Sequence, residues 1–282
     1  MRVLLATFCL CPDGELGGAA LTDALAARGI DAAWAAWDDA SVDWAGANLV
    51  AVRATWDYHR RLAPFLDWAR HVEASSTLLN GVDTFVWNHD KGYLLELGAL
   101  VPVVPSEPVL DDDLLGGLSA GLARWGTVVV KPRIGASGVG LVVADRTDDP
   151  RLAGLTAGPW LAQPVIESVR TRGETSVVVI GGRPVTQVDK VPATGEVRVH
   201  EEYGGRSVAV PVEDAAGALS RRAVLAAEDL LGRSLDYARV DVMELDDELV
   251  VSELELIEPG LYLDLAPEAA APFADRVVAR LG

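Results

Sequence analysis

Arg239-Val-Asp241 and Glu253-Leu-Glu255 are the segments whose residue types and spacing are best suited to chemistry. They lie in two candidate strands, Tyr237 to Leu245 and Leu249 to Ile257, which flank Asp246-Asp247. Side chains alternate along a strand, so Arg239 shares a face with Asp241, and Glu253 with Glu255. A three-residue turn between the strands would set Asp241 opposite Glu253 and Arg239 opposite Glu255. Carboxylates so opposed sit roughly 5 Å apart and repel. A divalent cation would turn that cost into a gain, and carboxylates together with substrate phosphates suit Mg²⁺. An ordinary Arg239–Glu255 salt bridge accounts for single members of the set. The metal reading accounts for all three acids on one face of an otherwise apolar hairpin.

A second constellation is Val-Val-Val-Lys131-Pro followed by Gly135-Ala-Ser137-Gly138-Val-Gly140. Glycine backbone can approach phosphates closely and aim N–H groups at them. No Gly-Lys-Ser/Thr follows, so this is not a P-loop, and it leads into a strand rather than a helix, unlike a dinucleotide fingerprint. The choice is between a plain β-turn and a hairpin lid over phosphates. Lys131 favours the lid, because a lysine closing an apolar strand needs an anionic partner. Further on, Gln163-Pro-Val165-Ile-Glu167 and Glu174 form a strand end and linker that can offer backbone to an adenine edge and a carboxylate to ribose.

On the substrate side, Arg53-Ala-Thr-Trp-Asp lies at the end of a candidate strand, where α/β folds build ligand sites. Arg53 is suited either to clamp a carboxylate or to pair with an aspartate on its loop. Residues 190–207 are polar and glycine-rich and read as a substrate loop with Lys190, His200, Tyr203 and Gly204.

These residues need a scaffold. Residues 2–9, 32–37 and 48–54 read as strands, with helices over 17–28 and 61–73, a strand–helix–strand rhythm that predicts a small parallel α/β domain. Asn88 to Leu97 reads as one helix, capped by Asn88 and carrying Lys91 in its first turn. Strands over 127–132, 141–144 and 160–166 follow a helix over 112–125, and a Gly181-Gly182 turn joins strands 175–180 and 183–190. Helices over 220–231 and 269–281 complete the pattern. The expected division is an N-terminal α/β domain over 1–85, a central subdomain with the glycine loop over 86–164, and a C-terminal subdomain with the acidic hairpin over 165–282.

The net charge of −18 excludes a general basic surface for nucleic acid, so phosphate binding must rely on local cations. Cys9 and Cys11 are too close to bridge, and no apolar run reaches membrane-span length. The apolar start breaks at Pro12-Asp-Gly-Glu15 without a cleavage signal, so the expectation is a cytoplasmic protein with no membrane association.

The order of parts resembles the ATP-grasp superfamily: a helix lysine, a strand-end lysine before a glycine loop, a linker with Glu, and a late Asp…Glu-x-Glu hairpin. Trp-Asn88-His-Asp-Lys91-Gly, Val-Lys131-Pro and Glu253-Leu-Glu255-Leu-Ile-Glu-Pro look most like the branch of the D-cycloserine-forming O-ureidoserine cyclo-ligases. Bacterial glutathione synthetases are more distant. The resemblance implies an α/β (α+β) ATP-grasp fold with a central lid and a mixed or antiparallel C-terminal sheet. It implies ATP and Mg²⁺ as cofactors, with Lys91 and Lys131 on the α- and β-phosphates and Gly135 to Gly140 over the γ-phosphate. Gln163 and Val165 would form the adenine hinge, Glu167 or Glu174 the ribose contact, and Asp241, Glu253 and Glu255 the metal ligands. Arg239 would stabilise the transferring phosphoryl group. Many relatives carry Asn where Glu255 stands, so this chain has one more negative charge there. The implied reaction activates a small amino-acid-like carboxylate for attack by nitrogen, within the molecule or from a separate amine. A regulatory ATP-binding module and a phosphotransferase are the other readings, and a homodimer is compatible with the family likeness.

Overall fold

The computed structural model of the chain describes residues 1–136, 138–154 and 158–282. Its first sheet has four parallel strands in the order β2-β1-β3-β4: β1 (Arg2–Thr7), β2 (Asp31–Ala36), β3 (Leu49–Val52) and β4 (Thr77–Leu78). The two middle strands read as unbroken apolar runs because both their faces are covered. Val3 and Leu5 join Leu21 and Leu25 of α1 (Ala19–Ala26) on one face. Leu4 and Ala6 meet Phe65, Leu66 and Ala69 of α2 (Leu62–Ser75) on the other.

The expected helix from Asn88 to Leu97 is in fact two. The first, α3 (Val82–Asn88), ends at Asn88, and the second, α4 (Tyr93–Leu97), begins five residues later, so Lys91 lies in the break. Asn88 is not a cap. Its side chain donates to the Leu254 carbonyl (2.8 Å) and accepts from the Leu256 amide (2.8 Å), acting as one more rung against a distant strand.

The central elements are β5 (Glu107–Val109), α5 (Leu114–Trp125), β6 (Val128–Pro132), β7 (Val142–Ala144) and β8 (Trp160–Pro164). They form an antiparallel sheet in the order β5-β8-β6-β7 with α5 packed on it. Asp113 caps α5 by accepting from the Gly116 amide.

The third sheet is also antiparallel. It runs β11-β10-β9-β12-β13, from β9 (Glu174–Ile180), β10 (Arg183–Val191), β11 (Arg206–Val210), β12 (Tyr237–Leu245) and β13 (Glu248–Glu255). Residues 206–210 pair with β10 as β11, so part of the expected substrate loop is strand and Lys190 sits inside a sheet. The helix α6 (Asp214–Leu231) starts six residues before its expected onset at Ser220, and α7 (Ala270–Leu281) closes the chain.

Asp246 and Asp247 have φ of 52° and 64°, so the last hairpin turns on two residues rather than three. Pairing then runs from Leu245 opposite Glu248 to Val242 opposite Val251, and next brings Asp241 opposite Glu253. Ser252 is the extra residue of a β-bulge. The bulge supplies the residue that the shorter turn lacks, so the expected register is reached by another route.

The segment after β13 is tied to the first sheet. Asn80 donates to the Tyr237 and Leu256 carbonyls, and the Tyr237 hydroxyl donates to the Val52 and Ile257 carbonyls. Arg53 is fully buried. It pairs with Glu15 (2.9 Å) and donates to the Pro259 carbonyl (2.5 Å), while Glu15 also accepts from the Leu261 amide (2.8 Å). The expected carboxylate clamp at Arg53 is therefore corrected: its charge is used inside the protein. Replacing one partner of such a pair strands the other charge in the interior. Arg53→Ala is expected to lower unfolding free energy by about 3–5 kcal/mol in a denaturant titration. A loss under about 1 kcal/mol would mean the pair does not fasten this segment.

Among the described residues no helix is long and apolar enough to cross a membrane.

Candidate active site

The first-sheet loops, the central sheet and the third sheet enclose a cavity of about 540 Å³. Its floor is a chain of alternating charges carried on adjacent strands. Lys190 bonds Glu174 (2.5 Å) and lies 3.7 Å from Asp241. Asp241 accepts two hydrogen bonds from Arg239, from Nε and Nη2 at 2.9 Å each, and one from Ser176 (2.5 Å). Arg239 also donates to Glu255, and Ser252, the bulge residue, donates to Glu174 (3.0 Å). Ser176 can do this because β9 pairs with β12 in a register that sets it opposite Asp241.

Lys91 and Lys131 approach from the glycine-loop side. Lys91 binds Glu253 (3.0 Å) and the Gly135 carbonyl (2.7 Å), which ties the start of the loop to the floor. Among the described residues the Lys131 ammonium makes no ion pair or hydrogen bond. Burial lowers its pKa, and the nearby Glu253 carboxylate does not make up the loss, so its ammonium is the one of the pair left short of a counter-charge. Burial also opposes the Lys91 charge, but there Glu253 outweighs it and the pKa rises.

The three acids differ. Burial disfavours the Asp241 carboxylate, yet Arg239 and Lys190 hold it well below the usual carboxylate range. Glu253 is lowered against burial by Lys91 and Lys131. For Glu255, burial together with the neighbouring Asp241 and Glu253 charges outweighs Arg239 and pushes the carboxyl up to about 7. Among the described residues no three His, Cys, Asp or Glu side chains form a metal cage. Two opposed carboxylates facing an open cavity still fit Mg²⁺, which usually takes one or two carboxylates and completes its shell with phosphates and water.

Other expected site residues divide into those the cavity gathers and those it does not. Gly135, Gly138, Gln163, Val165, Glu174, Lys190 and His200 line it. The Gln163 side chain turns to Ser106 (2.8 Å). Glu174 is engaged by Lys190 and Ser252, so any ribose contact would compete with them. Glu167 is 74% exposed and pairs with Arg170 outside the cavity. Gly140, Tyr203 and Gly204 also lie outside the lining, and Tyr203 instead stacks under Arg198, 3.6 Å from the ring centre. Ser137 lies outside the described residues. Sequence reasoning missed Tyr262, Glu258 and Arg198 as cavity residues. Arg198 stood within the polar loop already suspected, whereas Tyr262 follows the last strand with no pattern to mark it.

Residues 117–260 match the family model of the prokaryotic glutathione synthetase ATP-grasp domain. The chain belongs to the ATP-grasp ligases. Residues 3–80 match the model of the N-terminal domain of the D-cycloserine synthetase DcsG. The cycloserine biosynthesis protein DcsG of Streptomyces lavendulae is 29% identical over 276 residues, covering 93% of this chain and 92% of that protein. The crystal structure of D-cycloserine synthetase DcsG superposes with a TM-score of 0.90 at 27% identity over the whole of both chains. The glutathione synthetase of Bordetella parapertussis is 28% identical over 169 residues, 57% of this chain and 50% of its own. A D-alanine–D-alanine ligase from Bacillus anthracis solved with ATP shares the fold (TM-score 0.67, 12% identity, 100% and 97% coverage). As an ATP-grasp ligase, the chain is an ADP-forming carbon–nitrogen ligase, and its expected fold class and family are both met.

The raised Glu255 pKa has a consequence for stability. Below about pH 4.5 the carboxyl is protonated in folded and unfolded chains alike. Between there and about pH 7 the unfolded chain ionises first, so wild type loses stability as pH rises. Relative to Glu255→Gln, the ligand-free wild type is expected to melt progressively lower across that window. Parallel melting curves at every pH would show that Glu255 titrates normally.

Proposed function

We propose that this chain uses ATP with Mg²⁺ to activate a small amino-acid-like carboxylate as an acyl phosphate, which a nitrogen on the same molecule then attacks to close a ring. The observation that carries the reading is the pairing of an uncompensated Lys131 with the Asp241/Glu253 acids across one cavity. A phosphate chain satisfies the first, and a cation bridging phosphate to carboxylate satisfies the second. The near-complete alignment with a cycloserine biosynthesis protein, against half of a glutathione synthetase, favours ring closure over joining two molecules.

In this reading Lys91 and Lys131 hold the α- and β-phosphates and the backbone of the 135–140 loop covers the γ-phosphate. Gln163 and Val165 present the adenine hinge. Glu174 is better placed than Glu167 for ribose, since only Glu174 lines the cavity. Asp241 and Glu253 would hold Mg²⁺, with Glu255 available as a further ligand. Mg²⁺ would neutralise charge on the phosphates. Arg239 donates to the transferring phosphoryl group, and Lys190 and Ser176 keep Asp241 ionised and oriented. A substrate carboxylate oxygen attacks the γ-phosphorus as ADP leaves. The nitrogen then attacks the acyl carbon, losing a proton as phosphate departs. The units carrying these parts are residues 1–85, 86–164 and 165–282, in a cytoplasmic enzyme. His200 and Lys190 border the acceptor end.

The test is ADP release from ATP and Mg²⁺ against amino-acid-sized carboxylates, both enantiomers of O-ureidoserine among them, with mass spectrometry of the product. A cyclic amide supports the reading, and a linear amide moves the enzyme to the glutathione-synthetase type. Asp241→Asn and Glu253→Gln are each expected to cut ADP release by about a hundredfold or more. Near-normal release by either variant would overturn the metal assignment, and absence of ATP binding in calorimetry would overturn the function.

A further inference from the structure

Tyr262 has φ of 54°, in the left-handed region. The other described non-glycine residues with positive φ are Asn80, Asp246 and Asp247, types whose short polar side chains tolerate it. A tyrosine does not, and a glycine would adopt this backbone at no steric cost. The conformation persists because it is fixed from both sides. Before it, Arg53 holds the Pro259 carbonyl and Glu15 holds the Leu261 amide. After it, the Tyr262 carbonyl accepts from the Leu265 (3.0 Å) and Ala266 (2.7 Å) amides.

The strained backbone places the side chain usefully. Leu261 and Leu263 on either side are buried in the core, while Tyr262 turns into the cavity wall. Its ring centre lies 5.5 Å from the Arg239 guanidinium carbon, within reach of a cation–π contact. Arg239 is otherwise held by two carboxylates, Asp241 and Glu255, which in the proposed reaction must turn to a metal ion. The ring is the contact that survives that change.

We infer that Tyr262 is a positioning residue for Arg239. Its ring keeps the guanidinium at the transfer site once the carboxylates have released it, and the left-handed backbone is retained because no relaxed conformation would put the ring there. The inference rests on the role of Arg239 proposed above.

Three variants test it: Tyr262→Phe, Tyr262→Ala and Tyr262→Gly. Both small variants lose the ring and differ only in a Cβ. With positive φ, the glycine variant is expected to melt above the alanine variant by roughly 2–4 °C, the reverse of their order on ordinary backbone. ADP with Mg²⁺ should bind all three within about threefold of wild type by calorimetry, since the lysines are untouched. With ATP and O-ureidoserine as the acceptor, Tyr262→Phe is expected to keep kcat within about threefold. The alanine and glycine variants should lose about tenfold or more in kcat at unchanged KM for ATP. A glycine variant with wild-type kcat overturns the positioning role. An alanine variant that melts above the glycine variant overturns the strain on which the role is argued. A wild type that binds no ATP removes the functional reading and this inference together, and the melting comparison then shows whether the strain was real.

Discussion

The structure depends on charge compensation at the floor of the cavity. Glu174, Asp241 and Glu255 are largely withdrawn from water on neighbouring strands, where carboxylates without partners would not stay ionised. Lys190 and Arg239 sit between them, and each bridges two acids. This arrangement needs four strands in one register. Ser176 on β9, Lys190 on β10, Arg239 and Asp241 on β12 and Glu255 on β13 must all present the same face. A one-residue slip of β12 would drive Asp241 into the apolar layer formed by Val240 and Val242. The bulge at Ser252 is part of that register, since it converts a two-residue turn into the pairing that opposes Asp241 to Glu253.

The first sheet contributes no cation to the floor. Its contribution is mechanical and runs through buried polar side chains. Asn80, Arg53, Glu15 and the backbone of Val52 satisfy groups on residues 236–261, and Asn88 does the same along the outer edge of β13. Each bond crosses between segments far apart in sequence, and each would leave an unpaired buried group if broken. The segment that follows Glu253 and Glu255 is thereby fastened to the first sheet and the loops around it. That fastening allows it to carry Tyr262 in a conformation the residue would not choose.

Much of this was legible in the sequence because it depends on local alternation. The parallel domain followed from apolar runs and intervening helices, and the acidic face followed from spacing along β12 and β13. The glycine loop after Lys131 was visible as composition. What stayed hidden depends on pairing between remote strands. An arginine at a strand end has the same signature whether it meets a ligand or a buried glutamate, so Arg53 read as a substrate residue. Asn88 looked like a helix cap because an asparagine before an apolar run usually is one. The strand β11 was masked by a polar, glycine-rich approach. The role of Ser176 required knowing that β9 lies beside β12, and Tyr262 becomes visible only through its backbone.

The charge balance also bears on how the site accepts a nucleotide. Lys91, Lys190 and Arg239 are paired with Glu174, Asp241, Glu253 and Glu255, and Lys131, unpaired among the described residues, stands near Glu253, so four cations and four acids give a formal charge of 4 − 4 = 0. In a protein of net charge −18, a neutral floor does not draw a triphosphate by long-range attraction. In the proposed function a triphosphate would arrive with Mg²⁺, whose ligands the resting network already occupies. Arg239 and Lys91 hold those ligands, and both are also suited to bind phosphate. Under the proposed function an exchange would meet both requirements: phosphate would take the guanidinium and the ammonium, and the carboxylates they release would be free to hold a divalent ion. Glu255 fits this scheme as the acid most easily given up, because its carboxylate is already the least stable of the three.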